Sequence, residues 1–216
     1  MWPIPSITNN TIACIFTPRS ITLSYFIPQQ STVLLQAYTH ISFCNAELER
    51  NIICNPTVIK KIIHAFIKQH NAHNSITHFA LCGPQVSEKI SNKKREPSHY
   101  NSFLYTHNHK DFYYTATIDP LIIMQYQLIA IHHLLPLQTI TTPFIAQLAL
   151  YKTIQGTSFR YTQLADDLRT HNHHIERIID YKTIMRYITV SSAVSFDIAN
   201  EYYFLVSSLG LYYLRR

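Results

Sequence analysis

The stretch Thr11–Phe43, TIACIFTPRSITLSYFIPQQSTVLLQAYTHISF, decides the fold. It divides into three runs rich in β-branched and aromatic residues, Thr11–Thr17, Ile21–Ile27 and Val33–Phe43. Pro18-Arg19-Ser20 and the polar turn Pro28–Ser31 separate them, so the reading is an antiparallel meander. Outward from there, Asn55-Pro56 supplies a capping oxygen and a residue suited to the first helical position. Val58, Ile59, Ile62, Ile63, Phe66 and Ile67 then recur at helical spacing with Lys60, Lys61, Lys68 and Gln69 on the other face, which predicts a helix over Pro56–Gln69. Ile76–Cys82 reads as a buried strand stopping at Gly83-Pro84, and Val86–Ile90 as a further short strand. Tyr100–Thr106 and Asp111–Ile118 flank HNHK as a hairpin with aromatic residues on both strands. Asp119-Pro120 and Thr142-Pro143 open two more helices, with a strand, Leu137–Thr141, between them. The order is βββαβ, a ββ insertion, then αβα. Beyond Gly156 the chain reads as mainly helical, near Tyr161–Thr170, Ile175–Ile188 and Ile198–Leu214.

Composition narrows the function classes. The 216 residues are 47% hydrophobic, enough for one compact domain or two small lobes. Only 3 residues are glycine, where average usage of about 7% would give about 15. Phosphate-cradling loops need glycine for close backbone approach, so most nucleotide-binding devices are disfavoured. The formal charge of +6 permits an anionic membrane or nucleic acid as partner without requiring one. Cys14, Cys44, Cys54 and Cys82 lack C-x-x-C spacing and read as reduced thiols, at least three of them within or beside apolar runs. MWPIPSITNN lacks the basic and apolar regions of a secretory signal. Leu121–Leu135 and Tyr202–Leu214 fall short of the roughly 20 apolar residues of a membrane span.

Side chains that could carry chemistry have simpler readings. The 13 histidines include His107 with His109, His132 with His133, and His171 with His173 and His174, yet none has zinc-ligand spacing. Adjacent helical residues point about 100° apart, so His132 and His133 do not share an ion easily. The hydrolase marks G-x-S-x-G and H-E-x-x-H are absent. Asp166 and Asp167 read as a charged helix face, Cys82-Gly83 as a tight strand end, and Lys93, Lys94 and Arg95 as a solvated loop.

The order of elements and several local patterns resemble the PilM-like family of pilus-assembly proteins. Thr17-Pro18-Arg19-Ser20 matches the family's first loop, LLQAYTHISF its next strand, ERNIICNP its approach to the first helix, and ALCGP the end of the following strand. The stretch from Asp111 to Leu150 matches its strand, helix, short strand and capped helix, and YYFLVSSLGLYYLRR its terminal helix with a small residue, Gly, Leu and Arg. The match covers about two-thirds of the chain and rests on the order of the motifs.

The resemblance implies an α/β fold: a reduced actin-like (ribonuclease H-like) lobe with a small inserted β-hairpin subdomain and a mainly helical C-terminal part. Residues 1–84 and 137–216 would form the main lobe, and 85–136 the inserted strand, hairpin and helix. It further implies a non-catalytic scaffold, cytoplasmic and peripheral to the inner membrane, in a type IV pilus, competence or type II secretion platform. Its partner would be the cytoplasmic tail of a single-pass inner-membrane protein, beside other platform components. The groove for that tail would involve the hairpin residues Phe103, Tyr105, Phe112 and Tyr114. No catalytic, cofactor or metal residue is implied, since FTPRSIT lacks the Asp and Gly of a phosphate loop and Gly156 is the sole glycine between Gly83 and Gly210. SNKKREPSH stands where relatives carry a longer acidic helix. The alternative class is a basic nucleic-acid-associated protein, marked by a basic track beside stacking aromatics.

Overall fold

Along β1 (Thr11–Thr17), Ile12, Cys14 and Phe16 alternate with Ala13 and Ile15, and all five are buried. A strand covered on both faces belongs inside a sheet with helices on either side. The computed structural model describes residues 10–43, 48–49, 52–53, 55–83, 86–91, 100–107, 110–155, 179–195 and 197–214. Lys93, Lys94, Arg95, Asp166, Asp167, His109, His171, His173, His174, Cys44, Cys54 and Gly156, with the helix read near 161–170, lie outside them.

β1 pairs antiparallel with β2 (Ser20–Pro28), which pairs antiparallel with β3 (Val33–Ser42), as the meander requires. A two-residue strand pair, β4 (Leu48–Glu49) and β5 (Ile52–Ile53), precedes α1 (Pro56–His70). Asn55 caps α1 by accepting from the Val58 amide at 3.3 Å, and Asn71 ends it in the left-handed region at φ 51°. β6 (Ile76–Leu81) then runs parallel to β1 on the side away from β2.

Three strands follow, β7 (Val86–Ser91), β8 (Tyr100–His107) and β9 (Lys110–Ile118), which build a separate sheet. α2 (Pro120–His132) is capped by Asp119, which accepts from the Leu121 amide at 2.8 Å. β10 (Leu137–Thr141) returns parallel to β6, and α3 (Pro143–Gln155) starts where Thr142 accepts from the Ile145 amide. The last described elements are α4 (Tyr181–Ile184), β11 (Ile188–Val190) and α5 (Ile198–Tyr213). The main sheet runs β10-β6-β1-β2-β3-β11.

Each sheet face has its own core. Ile12, Cys14, Phe16, Ile21, Leu23, Phe79 and Leu81 meet α1 and α2 on one side. Ala13, Ile15, Phe26, Leu35 and Ala80 meet α3 and α5 on the other. Of the α1 residues read as core-facing, Ile59, Ile63, Phe66 and Ile67 are buried and Ile62 is partly so.

The resemblance implies that α2 belongs with the inserted residues 85–136; in the structure Ile122, Tyr126, Ile129 and Ala130 pack on the main sheet, and the Tyr126 ring stands 4.6 Å from that of Phe16. One expectation needs correction. The helix read over Ile175–Ile188 instead gives, within the described residues, the short α4 and then β11, which adds parallel to β3 at the sheet edge.

Candidate functional site

The register of the inserted sheet sorts its aromatic residues. β9 lies in the middle, antiparallel to β7 on one side and to β8 on the other, so among the described residues β7 and β8 are its edges. Phe103 stands directly opposite Tyr114, and Tyr105 opposite Phe112. Opposed positions share a face and so do alternate ones, so all four residues fall on one face of the sheet. Ala116 and Ile118 share that parity farther along β9, and both are buried in the main core, on opposite sides of the large sheet. Tyr100 and Tyr113 fall on the other face.

The insertion leaves the main sheet where β6 ends. The Cys82 amide donates to the Phe16 carbonyl at 2.9 Å, and the Val86 amide to the Gly83 carbonyl at 3.0 Å. Cys82 is half-buried, and burial pushes the Cys14 thiol far above its ordinary pKa.

The β1–β2 turn lies at the same end of the sheet as the close of β6, since Phe16 pairs with Leu81. In open α/β sheets a ligand sits at such strand ends. Here Pro18 has no amide hydrogen, and the Arg19 amide donates to the Thr17 hydroxyl at 3.2 Å. That hydroxyl lies 2.7 Å from Ser20 Oγ, and the Arg19 carbonyl accepts from the Phe43 amide at 2.7 Å. The turn thus closes on its own groups, without glycine or carboxylate.

His132 and His133, paired in the sequence, are joined by His64 in a cluster between α1 and the end of α2. The rings of His132 and His133 lie 5.0 Å apart, and His64 of α1 comes within 6.1 Å of His133. Burial, with the charges of His132, His64 and Lys60 added, lowers the His133 pKa to about 4. Among the described residues no three His, Cys, Asp or Glu side chains stand as a metal site.

Sequence reading also missed the outer face of α2. Leu121, Met124, Leu128 and Ile131 are exposed there, followed by Leu134 in the turn beyond. Their spacing carried the signal, hidden because the inner face of the helix is apolar too.

Three antiparallel strands, two parallel ones beside the first, and helices on both faces define the class: an α/β lobe of the actin-like, ribonuclease H-like kind. In that class the chain is PilM-like in fold: it is similar to a chain of the PilM–PilN type IV pilus biogenesis complex, with a TM-score of 0.53 and 9% identity over 67% of this chain. It spans about half of that chain, 51% of its length. Two further solved structures are the cytoplasmic domain of EpsL, an inner membrane component of the Vibrio cholerae type II secretion system, and a Bacteroides thetaiotaomicron protein with an actin-like ATPase fold. The first has a TM-score of 0.42 at 8% identity over 63% of this chain and 57% of that one. The second has 0.35 at 5% identity over 70% and 60%. No family model and no curated protein sequence matches the chain.

Proposed function

We propose that the protein is a non-catalytic docking adaptor at the cytoplasmic face of a type IV pilus, competence or type II secretion platform. It receives the cytoplasmic tail of a bitopic inner-membrane protein and is held there peripherally. One observation carries this reading: an inserted sheet with Phe103, Tyr105, Phe112 and Tyr114 on one face and β8 as an edge strand. An extended peptide beside β8 gains main-chain hydrogen bonds, and its alternate side chains meet the aromatic face. The PilM–PilN pairing in the solved complex supports a protein partner of this kind. The self-closed Thr17–Ser20 turn supports a scaffold over an ATPase. The inserted unit is then the strand and hairpin alone, with α2 belonging to the main lobe.

The test is co-purification in detergent with a co-expressed bitopic inner-membrane protein of a pilus or secretion platform, with and without its cytoplasmic tail. Co-purification should require the tail and survive nuclease. Capture that ignores the tail deletion, or that nuclease abolishes, overturns the reading; the latter favours the nucleic-acid alternative.

A further inference from the structure

The surface that tail docking leaves unused is the outer side of the layer formed by α1 and α2. On α2, Leu121, Met124, Leu128 and Ile131 recur every three or four residues and are 68%, 50%, 57% and 66% exposed. That spacing makes one stripe along the helix. Leu134 extends it, 86% exposed in a turn at φ 52°. From Pro120 to His132 the helix carries no Lys, Arg, Asp or Glu, and its inner residues Ile122, Tyr126, Ile129 and Ala130 are packed on the sheet. A helix apolar on both sides is a covered helix, and an exposed stripe of this kind marks a contact surface.

The neighbouring helix supplies charge through Lys61 and Lys68. Both are exposed on α1 with His64 between them, and Pro56–His70 contains no carboxylate. The ring of His64, between the two lysines, lies 6.1 Å from that of His133, so α1 and the end of α2 meet beside Leu134. Two copies packed stripe to stripe would bring these lysines toward their own images with no carboxylate in either helix to answer them. An anionic bilayer answers both stripes: the headgroup–acyl boundary takes aliphatic side chains, and lipid phosphates take the ammonium groups.

We propose that the α1–α2 face is a lipid-binding surface that seats the protein on an anionic membrane, with Leu121, Met124, Leu128, Ile131 and Leu134 in the headgroup–acyl boundary. α2 lies in the membrane plane, because 13 residues at about 1.5 Å each reach about 20 Å, short of the roughly 30 Å hydrocarbon core. Among the described residues no helix is long and apolar enough to cross a membrane. This contact needs no protein partner and goes beyond tail docking, so either can fail alone.

The experiment is co-sedimentation of the purified full chain, without any partner, with vesicles of phosphatidylcholine alone or with about one third phosphatidylglycerol. Binding should be at least about tenfold stronger to the anionic vesicles and should weaken in about 0.5 M salt. Leu128→Glu, and separately Lys61→Glu with Lys68→Glu, should each lower it about tenfold or more with circular dichroism unchanged. Leu134→Gln, outside the helix, serves if Leu128→Glu does not fold. Equal binding to both vesicle types, or variants that bind like the parent, overturns the proposal. So does a lipid-free dimer, seen by light scattering, that Leu128→Glu abolishes; that result would assign the stripe to a second copy.

Discussion

Gly210 of α5 lies so close to Ala146 of α3 that a Cβ built on the glycine would overlap the Ala146 carbonyl oxygen. The two helices therefore cross backbone against backbone. Beside this contact Gln147 Nε2 donates to Ser207 Oγ at 2.8 Å, and Ser24 Oγ donates to Ser208 Oγ at 3.0 Å. Small and hydroxyl residues let α5 sink between α3 and the sheet, while its buried Leu205, Leu209 and Leu211 fill the core around them.

Gly210→Ala separates two opposed effects. Helix propensity alone would stabilise an exposed helix by about 1 kcal/mol. The overlap with Ala146 should reverse that sign and cost about 1–3 kcal/mol, as overpacking does. Urea denaturation should show a lower midpoint. A higher midpoint would mean that the helices do not cross so closely.

Ile63→Ala should cost about 2–5 kcal/mol, because Ile63 is buried between α1 and the sheet. Lys61→Ala, two residues earlier on the exposed face, should stay within about 0.5 kcal/mol. Equal losses in the two variants would contradict the assigned orientation of α1.

His133 gives a pH dependence of known sign. Its folded-state pKa of about 4 lies below the ordinary 6.5, so the unfolded chain binds the extra proton between those values. Its contribution is full above pH 6.5 and is lost as pH falls toward 4. The fall in urea midpoint from neutral pH to pH near 5 should be smaller in His133→Asn than in the parent. Identical falls would mean that His133 titrates normally.

Magnesium ATP should give no saturable heat in calorimetric titration. The expectation follows from a β1–β2 turn whose Arg19 amide and Thr17 and Ser20 hydroxyls are bonded to one another and whose Pro18 has no amide hydrogen. Binding with stoichiometry near one would reveal a phosphate site elsewhere.

Local signals made much of this fold legible. Pro-containing turns bounded β1 to β3, and Asn55 and Asp119, each followed by proline, marked two helix starts that the structure keeps. The parallel pairing of β6 with β1 is non-local, and no local pattern in Ile76–Leu81 states it. β11 was hidden because three residues, Ile188–Val190, give too little alternation to outweigh the apolar run before them. The inner and outer faces of α2 are equally apolar, so no periodicity showed that Tyr126 reaches Phe16. The hairpin aromatics were visible, but their division into faces depends on a register that the sequence did not state.

Tail docking is read out by amide hydrogen exchange on the purified protein, with and without a soluble peptide of the bitopic partner's cytoplasmic tail. Saturable binding should slow exchange along the β8 edge, Tyr100–His107, and Tyr105→Ser with Phe112→Ser should weaken both binding and protection. No binding, or protection that leaves β8 unchanged, would contradict the account.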